Sequence, residues 1–131
     1  MRVVFDTNIF VSALVVPGGS AERAIARIID GRDSLLFSKD ILDELLGVLA
    51  RKFGRDREEL ARVAVFVAEL GERVRTRARL SILADDADNR ILECAVAGLA
   101  EAIVTGDRAM LKLGSHQTIS ILSLRQYLSS P

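Results

Sequence analysis

The chain has 131 residues; half of them are hydrophobic, 27% are charged, and 18 basic residues balance 18 acidic ones. This is the composition of one ordinary globular domain spanning residues 1–131, so disordered and collagen-like chains are excluded. A single cysteine excludes an internal disulfide, and the longest unbroken apolar run, Val63 to Ala68, is far too short to span a membrane. We therefore expect a cytoplasmic protein without membrane association.

The first part of the chain predicts a strand, a helix and a second strand. Residues 2–5 are β-branched and aromatic, which is typical of a strand. Ser20 is the expected N-cap of a helix that ends at Gly31, with apolar residues at helical spacing: Ala21, Ala24, Ile25, Ile28 and Ile29. Residues 35–37 predict a short buried strand.

Two further helices are predicted between residues 38 and 71. Ser38 is the expected N-cap of the first helix, which ends by Gly54 and has apolar residues at Ile41, Leu42, Leu45, Val48 and Leu49. Asp56 and Glu59 have the spacing of a capping box at the start of the second helix, which ends at Gly71 and has apolar residues at Leu60, Val63, Val67 and Leu70.

Basic residues are concentrated in the middle of the chain, where residues 51–79 hold nine basic and five acidic side chains. Within this region arginine alternates with other residues, which predicts an extended segment with all four arginines on one side: Arg73, Arg75, Arg77 and Arg79. Such a stripe suits a polyanion such as RNA. An ordinary solvated surface explains the same pattern equally well.

The last third of the chain again alternates between helices and strands. Asp88 and Asn89 open a predicted helix whose inward positions are Ile91, Leu92, Ala95, Val96 and Leu99. The elements expected after it are a strand at 102–105, a short helix at 107–113, a strand at 118–122 and a closing helix capped by Ser123. This alternation favours an α/β domain with a parallel sheet covered on both faces. In such sheets, ligands bind beyond the carboxyl ends of the strands.

Four acidic residues are candidates for a site at that edge. Asp6 and Asp107 directly follow the predicted strands at 2–5 and 102–105. Glu44 lies on the margin of the apolar arc of its helix, and Asp88 falls in line with the buried face of the later helix that it opens. Each residue also has a simpler explanation, because aspartates end strands and cap helices, and glutamates are usually solvated.

A cluster of these four carboxylates would be unstable without cations or protons. Two unit charges about 4 Å apart repel by about 4 kcal/mol at an effective dielectric constant near 20. Oxygen ligands without cysteine or histidine select a hard cation such as Mg²⁺ or Mn²⁺ over zinc. Such an ion activates water and offsets charge on a phosphate, so the pattern indicates phosphate-ester chemistry.

Four short segments, in chain order, resemble the motifs of PIN domains: VVFDTN (3–8), SKDILDEL (38–45), DDADNRILECA (85–95) and IVTGD (103–107, followed by Leu111). The matches span about residues 2–124, and their series is more specific than any one of them. The chain looks most similar to stand-alone prokaryotic PIN proteins related to VapC toxins. Asp86 stands where the family often has proline, which adds an acid beside the site.

The resemblance implies a three-layer α/β/α sandwich with a central, mostly parallel sheet. It assigns catalysis and metal binding to the quartet Asp6, Glu44, Asp88 and Asp107, and a supporting role to Asn8 and Thr105. The implied activity is hydrolysis of RNA phosphodiester bonds that requires Mg²⁺ or Mn²⁺. The implied partners are a second copy of the chain in a homodimer and an antitoxin protein.

Other functions fit the sequence less well. A non-catalytic RNA-binding or interaction module would explain the basic middle region but not four matched acids. An aspartyl-phosphate phosphotransfer domain would place a nucleophile at Asp6, but receiver domains need an acidic pair and a late lysine, and dehalogenase-like proteins need Asp-x-Asp where this chain has Asp6-Thr7-Asn8. No Gly-Lys-Ser/Thr phosphate loop is present, so no nucleotide cofactor is expected.

Overall fold

The computed structural model describes all of residues 1–131. Six strands are present: β1 (Arg2–Phe5), β2 (Ser34–Phe37), β3 (Gly71–Arg73), β4 (Ala102–Val104), β5 (Ser115–His116) and β6 (Ile119–Leu122). Seven helices connect them: α1 (Thr7–Val15), α2 (Ser20–Ile29), α3 (Lys39–Phe53), α4 (Arg57–Leu70), α5 (Asp86–Ala97), α6 (Arg108–Leu113) and α7 (Leu124–Ser129).

The six strands form one sheet in the order β3-β2-β1-β4-β6-β5. All neighbours are parallel except β5 and β6. In β1, Val3, Val4 and Phe5 are all fully buried. Because successive side chains of a strand point to opposite faces, helices must cover both faces of the sheet. The prediction of a three-layer sandwich with a mostly parallel sheet is confirmed.

A single cluster of 31 buried apolar residues forms the core. In its centre, Phe5 packs against Phe10 of α1 and Tyr127 of α7, with ring centroids 5.9 and 5.7 Å apart. These contacts fix the end of β1, from which Asp6 emerges. The core therefore holds the first candidate site residue in place through its backbone.

The helix ends agree with the predicted capping residues at most positions. Ser38 accepts a hydrogen bond from the backbone of Ile41, and the Asp56 and Glu59 capping box is formed as predicted. The prediction for Ser20 is wrong, because Gly19 is the N-cap of α2 and Ser20 is its first helical residue. No side chain caps that helix at Gly19.

Two apolar residues predicted to face inward are exposed. Ile29 is the last residue of α2 and is 64% exposed, and Leu99 is 80% exposed. Leu99 follows Gly98, the C-cap of α5, and has a left-handed φ of 55°. The helical period no longer applies there, which is why the prediction for Leu99 is wrong.

A buried polar network ties α2, β2 and α7 together at the amino ends of the strands. The Asp33 carboxylate accepts hydrogen bonds from the Arg27 guanidinium at 3.1 Å and the Tyr127 hydroxyl at 2.6 Å. The amino group of Met1 lies 3.1 Å from the same carboxylate. Burial alone would raise the pKa of Asp33, but these donors outweigh it and hold that pKa below its usual value.

No single helix is long and apolar enough to cross a membrane. Helices α1 and α2 reach the required length and hydropathy only as a pair, and a bend of 103° separates them.

Candidate active site

Two candidate acids meet where the adjacent strands β1 and β4 end. Asp6 is 4% exposed, and its backbone N–H donates to the carbonyl of Val104 at 2.9 Å. The Thr105 hydroxyl donates to Asp6 Oδ2 at 2.6 Å and accepts from the backbone N–H of Asp107 at 3.0 Å. Thr105 is fully buried, so one hydroxyl joins the two aspartates through a rigid contact.

The third acid, Asp88, comes from the first turn of α5 and is 5% exposed. Its Oδ2 atom is buried without a hydrogen-bond partner. Burial raises the pKa of Asp88 to about 7, and the nearby charges of Asp107, Asp85 and Asp6 raise it further. Asp88 therefore holds its proton far more tightly than an exposed aspartate, and its carboxyl faces that of Asp107.

The pKa of Asp6 is also raised. Burial is the main cause, and the charges of Asp107 and Asp85 add to it. Hydrogen bonds from Thr105 and from the backbone of Asn8 act in the opposite direction, because they stabilise the charged form. The structure thus gathers Asp6, Asp88 and Asp107 into one electrostatically coupled cluster and adds Asp85 to it.

Three members of this cluster are also helix N-caps. Asp6, Asp85 and Asp107 accept hydrogen bonds from backbone N–H groups in the first turns of α1, α5 and α6. Asp6 and Asp107 are therefore helix caps, as the simpler explanation held. Capping a helix does not exclude either residue from the site. For Asp88 the capping explanation is wrong, because Asp85 occupies that position. The positive ends of three helices reduce the repulsion among the carboxylates.

Glu44 lies apart from this cluster. It is half-buried in a cavity of about 320 Å³, and the other lining residues include Thr7, Asp40, Asp86 and Arg90. We call this the acidic cavity. The charge of Glu44 is not among the causes that raise the pKa of Asp6 or Asp88. The structure therefore places three of the predicted quartet together and the fourth in the adjoining cavity.

Of the two predicted supporting residues, only Thr105 contacts the cluster through its side chain. The Asn8 side chain is exposed, and Asn8 contributes its backbone N–H, which donates to Asp6 Oδ1 at 3.2 Å. Any residue other than proline can supply that donor.

The residues present fit a divalent cation by their donor chemistry. The Oδ2 atom of Asp88 is buried without a partner, its charged neighbours are the carboxylates of Asp107, Asp85 and Asp6, and hard cations prefer oxygen ligands. No group of three or more acidic, histidine or cysteine side chains is arranged to hold a metal ion in these side-chain conformations. Asp6, Asp88 and Asp107 are the side chains that would hold such an ion.

A set of buried polar side chains on α5 holds the chain that leads into the site. Asn89 is fully buried; its side chain accepts from the backbone N–H groups of Ile82 and Leu83 at 3.0 and 2.8 Å and donates to the Leu83 carbonyl at 2.8 Å. Glu93 accepts from the backbone N–H of Leu80 at 2.7 Å. Sequence reasoning missed this role, although a polar pair on the buried face of an apolar helix was a visible signal.

The predicted arginine stripe is divided in two. All four arginines are exposed, but β3 ends at Arg73, and residues 74–85 contain no helix or strand. Arg79 lies 3.5 Å from both Asp40 and Glu93, so it is bound to acids of the protein itself. Arg73, Arg75 and Arg77 form no ion pair and line surface cavities.

Comparisons with known proteins agree with this architecture. Residues 2–109 match the family model of the PIN domain. The uncharacterised protein MJ1680 of Methanocaldococcus jannaschii is 25% identical over 117 residues, which cover 86% of this chain and 75% of that protein. The crystal structure of VapBC2 from Rickettsia felis, bound to a DNA fragment from its promoter, contains a chain with a similar fold. The TM-score is 0.67 at 18% identity, and the match covers 94% of this chain and 98% of that chain.

The family match includes all four predicted acids and most of the chain, and the fold likeness extends over nearly all of it. Asp6, Asp88 and Asp107 converge in the structure independently of that match. The chain belongs to the PIN domain family, whose members are in general nucleases.

Proposed function

We propose that this protein is a metal-dependent ribonuclease that hydrolyses RNA phosphodiester bonds. The observation that carries the proposal is the buried carboxyl of Asp88, which has a partnerless oxygen and a pKa of about 7 beside Asp6 and Asp107. Strongly perturbed carboxyls in such a cluster are typical of functional sites, because crowding charges is costly for a purely structural role.

The residues of the chain would have separate roles in such a site. Asp6, Asp88 and Asp107 would bind Mg²⁺ or Mn²⁺, and Glu44 would act from the acidic cavity. The bound ion would activate water and offset the charge that develops on the phosphate. Thr105 orients Asp6 by its 2.6 Å hydrogen bond, and the caps of α1 and α6 fix the backbones of Asp6 and Asp107.

We further propose that the protein is the toxin of a toxin–antitoxin pair in the cytoplasm. The support is its family and its fold likeness to a chain of the VapBC2 complex of Rickettsia felis. An antitoxin protein would then be its partner.

A homodimer is proposed from the apolar surface of the helices. Several large apolar side chains on α1–α4 and the α1–α2 loop remain exposed: Leu14, Val16, Ile29, Phe53 and Val65. Burying such side chains between two copies of the chain stabilises an assembly by about 25 cal/mol for each Å² removed from water.

The test is incubation of purified protein with a panel of structured and single-stranded RNAs. Cleavage should require added Mg²⁺ or Mn²⁺ and should stop when EDTA is added, because in the proposed chemistry the bound ion activates water and offsets charge on the phosphate. Cleavage that persists unchanged in EDTA would exclude the proposed chemistry.

The same assay separates the second candidate, a non-catalytic RNA-binding module. That candidate is supported by Arg73, Arg75 and Arg77, which are exposed and form no ion pair. It predicts that RNA is bound but remains intact with every divalent ion tested.

A further inference from the structure

Three surface cavities share lining residues one after another, from the acidic cavity to the edge of the sheet. The acidic cavity shares Asp40 with a second cavity of about 430 Å³, which Lys39, Arg73 and Arg75 also line. Arg73 and Arg75 in turn line a third cavity of about 630 Å³ together with Arg77. Because they share lining residues, the three cavities are neighbours. This path of cavities begins at the acidic cavity, which Thr7 lines, and ends at what we call the arginine cavity.

The charge changes sign along this path. Glu44, Asp86 and Asp40 line its first part. Lys39 and Asp40 are both neutralised, by Asp43 at 2.7 Å and by Arg79 at 3.5 Å. The arginines at the far end have no acidic partner, so their charge is available to an anionic ligand. A ligand that binds these arginines must therefore carry negative charge at that end.

The arginine cavity also has an apolar floor. Leu80, Val96 and Leu99 line it, and Leu99 is 80% exposed in a left-handed backbone conformation that turns it out of α5. Its volume lies within the range of small-molecule sites, about 300–1,000 Å³. Glu72 and Glu93 also line the cavity, but Glu72 pairs with Arg2 at 3.5 Å, and Glu93 pairs with Arg79 and Arg90 at 3.5 and 3.3 Å. An apolar floor beside unpaired arginines matches a nucleotide, whose base is a flat apolar surface and whose phosphate is an anion.

We propose that the arginine cavity binds an unpaired nucleotide of the substrate strand at a distance from the cut. This inference rests on the proposed ribonuclease function and gives the substrate strand a second contact away from the cut. Bases are available to a side-chain pocket only where they are not stacked in a duplex. Arg73, Arg75 and Arg77 contact phosphates, and the floor residues contact the base.

The test measures binding of a fluorescent ten-nucleotide single-stranded RNA in EDTA, where no cleavage takes place. Two variants remove different parts of the subsite. Arg75→Ala/Arg77→Ala removes charge, and Ala97→Trp fills the cavity from the exposed end of α5 without changing charge. Arg32→Ala/Arg125→Ala is the matched control, because both arginines are exposed and have no ion pair or side-chain hydrogen bond.

Both subsite variants should weaken binding about tenfold or more, and the control should bind within about twofold of wild type. The slope of log affinity against log salt should flatten by about 1.4 in the arginine variant, at about 0.7 for each phosphate contact in a single strand. Ala97→Trp should leave that slope unchanged. The same RNA annealed to its complement should bind wild type and Ala97→Trp equally.

Three results would overturn the subsite. One is wild-type affinity of Ala97→Trp for the single strand, and another is equal loss in the Arg32→Ala/Arg125→Ala control. The third is loss of binding to a glutamate-rich peptide in the subsite variants while their RNA binding is unchanged. That result would assign the cavity to an acidic protein segment. If all variants cleave RNA with Mn²⁺ at the wild-type rate, the proposed function stands. If wild type binds RNA tightly but cleaves it with no divalent ion, the proposed function fails and only the subsite stands.

Discussion

Asp6 is held by two sets of interactions that act oppositely on its charge. Burial and neighbouring carboxylates disfavour the ionised form, whereas the hydroxyl of Thr105 and the N–H of Asn8 favour it. A residue that served only as a cap would need neither the burial nor the acidic neighbours. The Asp6 carboxylate is therefore fixed in position, and its ionisation without a nearby cation costs free energy.

Asp6→Asn should therefore separate activity from stability. The variant keeps the side-chain shape but removes a charge from the crowded cluster, so in EDTA it should melt at or above the wild-type temperature. Wild type should gain thermal stability with Mg²⁺ or Mn²⁺, and Asp6→Asn much less, because a ligand that binds only the native state shifts the folding equilibrium. Differential scanning fluorimetry measures both effects.

Asp30→Asn is the control for that experiment, since Asp30 is exposed at the end of α2 and forms no ion pair. It should melt like wild type and respond fully to metal. If Asp6→Asn melts well below both proteins in EDTA, then Asp6 is a structural cap and its assignment to the metal is wrong.

Asp88 should make the protein less stable as pH rises from about 4 to 7. Its pKa is about 7 when folded and near 3.8 when unfolded, so in this window the native state binds more protons than the unfolded state. Stability then falls with increasing pH, by at most about 1.4 kcal/mol for each unit of the pKa difference. Asp88→Asn should remove this dependence and be the more stable protein at pH 8 in EDTA.

Urea unfolding at pH 5 and pH 8 measures this difference for Asp88→Asn and wild type. A wild-type stability curve that rises through this window, with the same slope in the variant, would show that Asp88 ionises normally.

Sequence reasoning located these residues because the strands end where their apolar runs end. Asp6 and Asp107 follow buried strands directly, and Asp88 lies on the buried face of α5. Asp85 could not be placed, because it precedes the helix and its position depends on how residues 74–85 return to the sheet. Glu44 was given a margin position from helix geometry, but its distance from the cluster depends on the packing of α3.

At the scale of elements, α5 does more than supply Asp88. Asn89 and Glu93 hold residues 80–83 against the helix through backbone hydrogen bonds, and Arg90 adds a bond to the Leu80 carbonyl at 3.0 Å. These bonds replace the secondary structure that the segment lacks. They also set where the preceding arginines lie relative to the sheet.

Asn89→Ala should loosen this segment. Two backbone N–H groups, those of Ile82 and Leu83, would lose their acceptor, which costs about 1–3 kcal/mol if they remain buried. Trypsin should then cut faster after Arg75, Arg77 and Arg79. Ser81→Ala, in the same segment but without a side-chain hydrogen bond, should be cut at the wild-type rate, and equal rates for all three proteins would refute the anchoring role.

The predicted elements were most accurate where a clear period and a cap coincided, as in α3 and α4. Helix α1 was not predicted, because residues 9–11 are consecutive buried apolar residues and show no helical period. Strand β5 has two residues and exists only through its antiparallel pairing with β6. Such elements depend on tertiary contacts, which local patterns do not encode.

At the scale of the whole molecule, the parallel sheet joins a buried network at one end to the acidic cluster at the other. Strand order could not be read from the sequence, since β1 pairs with both β2 and β4 across long connections. The alternation of strands and helices was sufficient for the fold class. That class placed Asp6 and Asp107 at the same edge of the sheet, and the pairing of β1 with β4 makes them neighbours there.

Tyr127→Phe should test the network at the amino ends of the strands. The change removes the hydroxyl that donates to buried Asp33 at 2.6 Å and leaves the ring in the core. We expect a loss of about 1–3 kcal/mol at pH 7. Because the pKa of Asp33 is lowered, its contribution is complete above about pH 4 and is lost as pH falls through the folded pKa, so the two proteins should converge in acid. Equal urea midpoints at pH 7 would contradict this.

Association should be visible in sedimentation velocity. If the exposed apolar side chains of α1–α4 form a homodimer interface, the protein should sediment at twice its monomer mass of 14.3 kDa at micromolar concentration. Phe53→Glu should shift the population to monomer, because it places a charge in that surface. A wild-type monomer at this concentration would rule out the dimer.

The central claim is that the cluster of Asp6, Asp88 and Asp107 cleaves RNA with a divalent cation. The most direct measurement is the initial rate of cleavage of one single-stranded RNA against Mn²⁺ concentration, for wild type, Asp6→Asn and Asp30→Asn. The account predicts a saturable, EDTA-sensitive rate for wild type and Asp30→Asn, and a rate lower by orders of magnitude for Asp6→Asn at every concentration. A wild-type rate in Asp6→Asn, or cleavage by wild type that does not depend on Mn²⁺, would contradict it.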